Sequence, residues 1–452
     1  MSDTTWTGAV VAGVVAGYAL VSRRLAGTPV SAPMVFTALG ILIGPAALGL
    51  VSLQHDKGPL LTLVEAALAL VLFTDATTVR LADLRSGGAL PGRLLAIGLV
   101  TTIGAGWLLA WPLLPGLTGW EMALVGALLA PTDAALGKDA ISDPRVPAVV
   151  RQGLNVESGL NDGMVLPFFV LFLAAVPGTS YAQESASGAF LHALLLSTAL
   201  GLAVGGIGGQ LLRLALARGW ITPEWRRLYV LAAAAGAYTL CVVTHGSGFI
   251  GAWVAGFAFA AVLRRGASAP QGAQSRAAET AQARAAVEAE LEETTELAEY
   301  LGSLLAMLSF LFFGAVLLGP ALEHLGWRIV GYAVLSLTVV RMVPVALALV
   351  GSGFRPPTVA YLGWFGPRGL ASVVFSLLVA EEPVQGVELI SRVVAVTVGL
   401  SVLLHGLSAG PLAARYGRWY GRAAAARPLR ESARTVVRPP RRRLGLLHRA
   451  DG

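Results

Sequence analysis

The sequence predicts an all-α polytopic membrane protein with about thirteen transmembrane helices. Three observations support this fold class. Of the 452 residues, 55% are hydrophobic and only 13% are charged, and the mean hydropathy is +0.70, far more apolar than a soluble globular chain. Apolar runs of about twenty residues, long enough to cross roughly 30 Å of hydrocarbon, recur along nearly the whole sequence. Basic residues fall in every second gap between these runs, as they do in cytoplasmic loops.

The predicted spans follow one another with short gaps. The first one comes after an acidic start and ends in Arg23-Arg24 without a small-residue cleavage pattern, so we expect a retained helix rather than a signal peptide. In chain order the predicted spans are 6–22, 33–53, 59–74, 92–111, 120–137, 147–176, 188–217, 228–243, 249–263, 301–318, 327–350, 359–379 and 393–412.

The distribution of arginine and lysine predicts the orientation. Almost nothing basic except Lys57 lies in the intervening gaps. An outside N-terminus, a cytoplasmic C-terminus and an odd number of spans in a bacterial inner membrane are therefore expected. The basic gaps contain Arg23, Arg24, Arg80, Arg85, Arg93, Lys138, Arg145, Arg151, Arg213, Arg218, Arg226, Arg227, Arg264 and Arg265.

Two polar stretches divide the chain into four parts: a first membrane half (1–264), a charged cytoplasmic linker (265–299), a second membrane part (300–413) and a basic cytoplasmic tail (414–452). The glutamate-rich linker is expected to be a partly helical, solvated tether. The arginine-rich tail is expected to be disordered near anionic lipid heads, and it lacks the interleaved aromatics of a nucleic-acid-binding segment. The single cysteine, Cys241, excludes an intrachain disulfide and a cysteine metal cluster, and no cofactor is predicted.

Ionisable residues inside the spans are costly and are therefore the candidate functional groups. In the fifth span, Ala130-Pro131-Thr132-Asp133 predicts a break in mid-membrane, because proline interrupts a helix and Thr or Asp can cap a new one. A broken helix exposes backbone N–H and C=O groups to a cavity, where they can hold ions.

The sixth span carries a strip of oxygen-bearing side chains. Glu157 and Asn161 are stacked at i and i+4, and so are Ser158 and Asp162. These oxygens suit a hard alkali cation. The alternative is a polar seam between helices that is held by hydrogen bonds alone.

The twelfth span contains a second break, Gly366-Pro367-Arg368-Gly369. Corresponding breaks seven spans apart fit two inverted six-helix repeats with a substrate site between them. Arg368 can neutralise the negative end of one half-helix, and Asp133 the positive end of another. An unpaired buried arginine is costly, so we expect Glu157 to be its partner.

Two further residues are possible gate or accessory groups. Arg341 is either buried in the bundle or extended to the cytoplasmic interface. Asp75 lies near the cytoplasmic end of the third span, where an interfacial role is the alternative.

The combination of Thr132-Asp133, the stretch 157–162 and Gly366-Pro367-Arg368-Gly369, in this order and on these spans, resembles the NhaP-type sodium/proton antiporters of the cation:proton antiporter superfamily. The resemblance implies a thirteen-helix homodimer with a fixed dimer domain and a moving six-helix core in which two unwound helices cross.

The resemblance also assigns roles to residues. It implies that Asp162 binds the cation or the proton, that Ser158 and Thr132 help to ligate Na⁺ or K⁺, and that Glu157 and Arg368 form a buried pair. Asp133 and Asn161 complete the candidate ion- and proton-binding set, and Asn161-Asp162 instead of two aspartates resembles the electroneutral branch. Thr74-Asp75 departs from the Phe-Glu that relatives often carry.

These features predict a secondary active antiporter that exchanges Na⁺, or else K⁺ or Li⁺, for H⁺ one for one, in pH homeostasis. The alternative is a sodium-coupled symporter of an organic anion with the same fold, which needs a larger polar cavity. An enzyme is not expected, and the His-Glu-x-x-His pattern of metallohydrolases does not occur. A single carboxylate site without a filter-like loop argues against a channel.

Overall fold

The computed structural model describes residues 3–25, 28–50, 58–79, 90–133, 136–179, 186–265, 276–426 and 429–432. All regular secondary structure in these ranges is helical, which confirms the predicted all-α class. Nine of the described helices are long and apolar enough to cross a membrane, and three shorter apolar helices accompany them. Lys57, Arg80 and Arg85, on which part of the orientation argument depends, lie outside the described residues.

The described helices form thirteen successive segments, which we number to match the predicted spans. Segments five and twelve are each split into two half-helices, a and b. The segments are α1 (Asp3–Leu25), α2 (Ala32–Ile43), α3 (Gly58–Thr77), α4 (Leu90–Leu113), α5a (Gly119–Leu128), α5b (Lys138–Ser142), α6 (Ala148–Ala175), α7 (Ala186–Ala217), α8 (Pro223–Val243), α9 (Gly248–Arg265), α10 (Arg276–Phe312, continued by a π-helical turn at Phe313–Leu318 and by Gly319–Glu323), α11 (Trp327–Ala348), α12a (Pro356–Trp364), α12b (Leu370–Ala380) and α13 (Val387–Ala426).

Local sequence explains the two breaks. Helix α5a begins with a capping box, in which the Thr118 hydroxyl and the Glu121 carboxylate each accept a backbone N–H of the other residue. It ends at Leu128, just before Pro131. In the twelfth segment, helix α12a ends at Trp364 and α12b begins at Leu370, so the Gly-Pro-Arg-Gly motif lies in the extended stretch between them.

Small residues allow the long helices to approach each other closely. A Cβ atom at Gly205 of α7 would overlap the backbone of Ala255 on α9, and one at Gly256 would overlap the backbone of Phe73 on α3. Helix α9 is therefore packed between α7 and α3 at backbone distance, as is typical of membrane helices. This packing sets the position of α3, which carries Asp75.

The acidic stretch behaves differently from a solvated tether. From Arg276 onward it is part of α10, the same helix that forms the tenth span. Arg226 of α8 contacts Glu293 at 2.9 Å, and Arg264 of α9 contacts Glu288 at 2.9 Å. Leu291 is buried in the same stretch. The glutamates therefore dock the end of α10 onto its neighbours, which charge composition alone does not indicate.

The expected tail also begins later than predicted. Helix α13 continues to Ala426, and a short 3₁₀ turn at Arg430–Ser432 packs against the bundle. Residues 414–426 are thus helical, because Tyr416 and Gly417 are buried against the other segments. The arginines from position 434 onward lie outside the described residues.

Candidate ion-binding site

Four polar residues of the sixth span form a buried strip on α6. Glu157 is 2% exposed, Ser158 8%, Asn161 1% and Asp162 9%. The strip lies in the middle of a 28-residue apolar helix, so each of these groups has lost its water and needs a compensating partner. Among the described residues, the partners of Glu157, Ser158 and Asn161 come from the fifth and eleventh segments.

The break in the fifth segment supplies the first partners. The Ser158 hydroxyl donates to the backbone carbonyl of Thr132 at 2.7 Å, and the Asn161 amide donates to the Thr132 hydroxyl at 2.6 Å. At the break, both the backbone carbonyl and the side chain of Thr132 therefore face α6. This brings Thr132 together with Ser158 and Asn161, and Asp162 follows Asn161 on the same helix.

The fifth and twelfth segments cross at their breaks. The backbone N–H of Asp133 donates to the carbonyl of Pro367 at 2.8 Å, and the N–H of Leu370 donates to the Asp133 carboxylate at 3.2 Å. Leu370 is the first residue of α12b, so the carboxylate caps the positive end of this half-helix. A side chain at Gly369 would overlap the Asp133 carboxylate, which explains the glycine.

Arg368 compensates the opposite helix end. Its guanidinium is fully buried and donates to the carbonyls of Ala130 at 2.6 Å and Pro131 at 3.2 Å, just beyond the C-terminus of α5a. The two half-helix ends are therefore neutralised by Arg368 and Asp133, as expected from the sequence.

The predicted ion pair between Glu157 and Arg368 is wrong. Glu157 instead forms a bidentate pair with Arg341, with N–O distances of 2.5 and 2.9 Å and both side chains almost fully buried. Arg341 thus lies inside the bundle rather than at the interface. The physical reason is that Arg368 donates through Nη1 to backbone carbonyls at the fifth-segment break, whereas Arg341 reaches both carboxylate oxygens of Glu157 and forms a bidentate pair with it.

Two sequence features could have indicated this pairing. Arg341 lies near the middle of the predicted span 327–350, too deep for its side chain to reach water easily. The second feature is Gly366, since a glycine beside a break permits close approach of another group. In the structure, a Cβ atom there would overlap the Arg341 guanidinium. The glycine beside the twelfth-segment break therefore provides the space through which Arg341 reaches α6.

The Asp162 carboxylate differs from those of Glu157 and Asp133 in its hydrogen bonding. Its Oδ1 atom, like Oδ1 of the neighbouring Asn161, is buried and accepts no hydrogen bond from the described residues. No arginine or lysine of the described residues forms an ion pair with it, whereas Asp133 and Asp75 are near enough to repel its charge. A buried carboxylate in such surroundings needs a cation or a proton. Oxygen atoms are also the ligands that hard cations prefer.

Asp75 lies beside the strip rather than in the predicted ligand set. A Cβ atom at Gly159 on α6 would be 3.6 Å from the Asp75 Cβ, so the two helices touch one turn away from Asp162. The side chain of Asp75 is only partly buried. This placement suits a group on the route to the site.

Sequence reasoning missed the support that α13 gives to the twelfth-segment break. The Ser401 hydroxyl accepts the backbone N–H of Arg368 at 2.7 Å. His405, one turn later and fully buried, lies 3.2 Å from this hydroxyl through Nδ1 and 2.9 Å from the carbonyl of Trp364 through Nε2. The Ser-His spacing of four residues, facing a Gly-Pro break, was the available signal.

Comparison with known proteins gives evidence of the family that is independent of the site geometry. The family model described as "Sodium/hydrogen exchanger, transmembrane" matches residues 10–415. The K(+)/H(+) antiporter NhaP of Alkalimonas amylolytica is 24% identical over 408 residues, which cover 88% of this chain and 64% of that protein. The K(+)/H(+) antiporter NhaP2 of Shewanella sp. (strain MR-4) is 30% identical over 241 residues, which cover 53% of this chain and 38% of the relative. The chain thus spans less than two thirds of the length of these curated relatives.

A solved structure has the same fold. The sodium proton antiporter MjNhaP1 from Methanocaldococcus jannaschii at pH 8 superposes with a TM-score of 0.72 at 19% sequence identity, over 90% of this chain and all of that one. At this identity the match concerns the fold alone.

Proposed function

Because this chain belongs to the sodium/hydrogen exchanger family, we propose that it is a secondary antiporter that exchanges a monovalent cation for H⁺ at Asp162. The observation that carries the proposal is the buried Asp162 carboxylate, which lies where two broken helices cross and has no compensating cationic side chain among the described residues. Membership of a transporter family also supports the expectation that the chain is not an enzyme.

The proposed mechanism is competition for one carboxylate. Asp162 holds either a proton or a cation, and the site opens to one side of the membrane at a time. The cation is coordinated by Asp162, by the hydroxyls of Ser158 and Thr132 and by the orphaned Asn161 carbonyl oxygen, while Asp133 adds negative charge nearby. Binding of a proton releases the cation, and the return step in the other state completes the exchange.

The charges around the site support a one-for-one exchange. Glu157 is neutralised by Arg341, and Asp133 and Arg368 lie on helix ends of opposite sign. Among the described charged groups of the two breaks and of the strip on α6, the Asp162 charge is the one left to be compensated. A single proton or a single monovalent cation does this equally, so each half-cycle carries the same net charge.

The proposed setting is a bacterial inner membrane with the N-terminus outside and the C-terminus in the cytoplasm. A homodimer in which a fixed helical domain supports a moving core around α5, α6 and α12 is part of the proposal. The apolar window of α1 has no buried residue in the monomer, which leaves its surface for lipid or for a second copy. Cysteine crosslinking along α1 in membranes tests this dimer.

The transported cation is Na⁺ or K⁺. The curated relatives include proteins named for each cation. One is the Na(+)/H(+) antiporter 2 of Zygosaccharomyces rouxii, 28% identical over 203 residues, and another is the K(+)/H(+) antiporter NhaP of Alkalimonas amylolytica. Each cation must therefore be titrated separately.

The test is proton movement in proteoliposomes that contain a pH-sensitive dye. Wild-type protein should alkalinise or acidify the lumen when a gradient of Na⁺ or K⁺ is imposed, and Asp162→Asn should abolish the signal for every cation. Asp143→Asn is the matched control, because Asp143 lies in a loop and pairs with Arg145. Cation-driven proton movement that survives in Asp162→Asn would rule out the assignment.

A further inference from the structure

An apolar groove separates α11 from α12a on the outer surface of the bundle. It has a volume of about 510 Å³ and is lined by apolar side chains, among them Met342, Val343, Leu347, Val350, Phe354 and Val359. Leu347 and Val350 are 55% and 70% exposed. The groove is therefore open sideways, toward the region that acyl chains occupy in a membrane.

Three arginines are neighbours, in space or in the chain, of residues that line one end of this groove. The Arg93 guanidinium donates to the carbonyl of Val350 at 2.7 Å. Arg355 directly follows Phe354 in the chain. The Arg430 guanidinium lies 6.0 Å from the centre of the Phe354 ring. All three belong to the face that the proposed orientation assigns to the cytoplasm.

A buried glutamate fixes this arrangement. Glu431, only 2% exposed, accepts the backbone N–H of Arg355 at 3.0 Å and the hydroxyl of Thr358 at 2.7 Å. It thereby caps the start of α12a and attaches the 3₁₀ turn to it. Arg430 is held beside the groove because it precedes Glu431 in this turn. The turn also packs against α6, the helix that carries Asp162.

We propose that this groove binds an anionic glycerophospholipid, with an acyl chain along α11 and α12a and the headgroup phosphate between Arg355 and Arg430. The apolar lining offers no hydrogen-bond partners, so an extended peptide segment would leave its backbone groups unpaired there, whereas an acyl chain has no such groups. The arginines at one end complement a negative headgroup. This site is distinct from the ion site and does not depend on the exchange reaction.

Native mass spectrometry of the purified full-length protein, titrated with phosphatidylglycerol or phosphatidylcholine, tests the proposal. We expect tighter binding of phosphatidylglycerol. Weakening should be about fivefold for Arg355→Gln or Arg430→Gln and about 25-fold for the double variant, from the usual contribution of a basic residue near anionic lipid. Arg218→Gln is the matched control, since Arg218 also lies over an aromatic ring, that of Trp220, on a distant part of the surface.

A second variant tests the groove itself. Ala346 lines it and is exposed, so Ala346→Trp should fill it without disturbing the core and should reduce phosphatidylglycerol binding with all arginines in place. Soluble glycerol 3-phosphate should not compete, because it lacks the acyl chain. Equal affinity for both lipids, or unchanged phosphatidylglycerol binding in the double arginine variant, would overturn the proposal, whatever the transport assay shows.

Discussion

The ion pair between Glu157 and Arg341 gives the sharpest stability prediction. Both side chains are almost fully buried and are joined by two hydrogen bonds of 2.5 and 2.9 Å. Removal of one partner leaves an uncompensated charge in the bundle, which typically costs 3–5 kcal/mol. Glu157→Gln and Arg341→Met should therefore each lower the free energy of unfolding by about 3–5 kcal/mol. The loss in the double variant should be smaller than the sum by about 2 kcal/mol, because neither charge then remains.

Unfolding in a detergent titration, followed by circular dichroism, measures these differences. The matched control is the exposed pair of Glu388 and Arg392, which has a similar N–O distance of 2.9 Å but a glutamate side chain that is 83% exposed. Glu388→Gln should change stability by no more than about 0.5 kcal/mol. Additive losses for Glu157→Gln and Arg341→Met, together with strong coupling between Glu157→Gln and Arg368→Met, would show that the pairing described above is wrong.

Three further predictions concern the surroundings of the site. Gly366→Ala should greatly reduce the yield of folded protein, because the new Cβ atom would overlap the buried Arg341 guanidinium. Gly331→Ala is the control and should not reduce the yield, because the space around Gly331 is open. Equal yields of the two variants on a sizing column would contradict the prediction. Ser401→Ala removes the acceptor of the buried Arg368 backbone N–H and should cost about 1–3 kcal/mol of stability. It should also slow cation–proton exchange in proteoliposomes. An unchanged rate together with unchanged stability would refute the supporting role of Ser401. The hydrogen bonds and charge of Arg145 lower the pKa of Asp143 below its usual value. Its stabilising contribution is therefore present above the unfolded pKa of about 3.9 and is lost as pH falls through the lower folded pKa. Asp143→Asn should reduce this loss of stability at acid pH, and an unchanged acid dependence would exclude the contribution.

Local patterns in the sequence were sufficient for much of the fold. Each apolar run corresponds to one helical segment, because a backbone in hydrocarbon must satisfy its own hydrogen bonds within a helix. The breaks contain Pro131 and Pro367, which lack a backbone N–H, while Pro167 and Pro411 are accommodated inside continuous helices. The compensation of helix ends by Asp133 and Arg368 follows from the helix dipole. These inferences depend on residues close together in the chain.

The errors concern contacts between residues far apart in the chain. Charge composition alone could not show that the glutamates near position 290 face Arg226 and Arg264, because this depends on how α10 packs against α8 and α9. Glu157 likewise had two buried arginines as candidate partners. The structure decides between them by long-range packing, which places Arg368 Nη1 on the carbonyls at the fifth-segment break and Arg341 on the Glu157 carboxylate.

The corrected pairing strengthens the argument for Asp162. If Glu157 and Arg368 formed the pair, the carbonyls at the end of α5a would lack a donor and Arg341 would be a buried charge without a partner. In the observed arrangement, Arg341 neutralises Glu157, Arg368 satisfies the carbonyls, and Asp133 caps α12b. Glu157 and Asp133 thus have partners within the protein, which supports the proposal that the Asp162 carboxylate is the group that binds a cation or a proton.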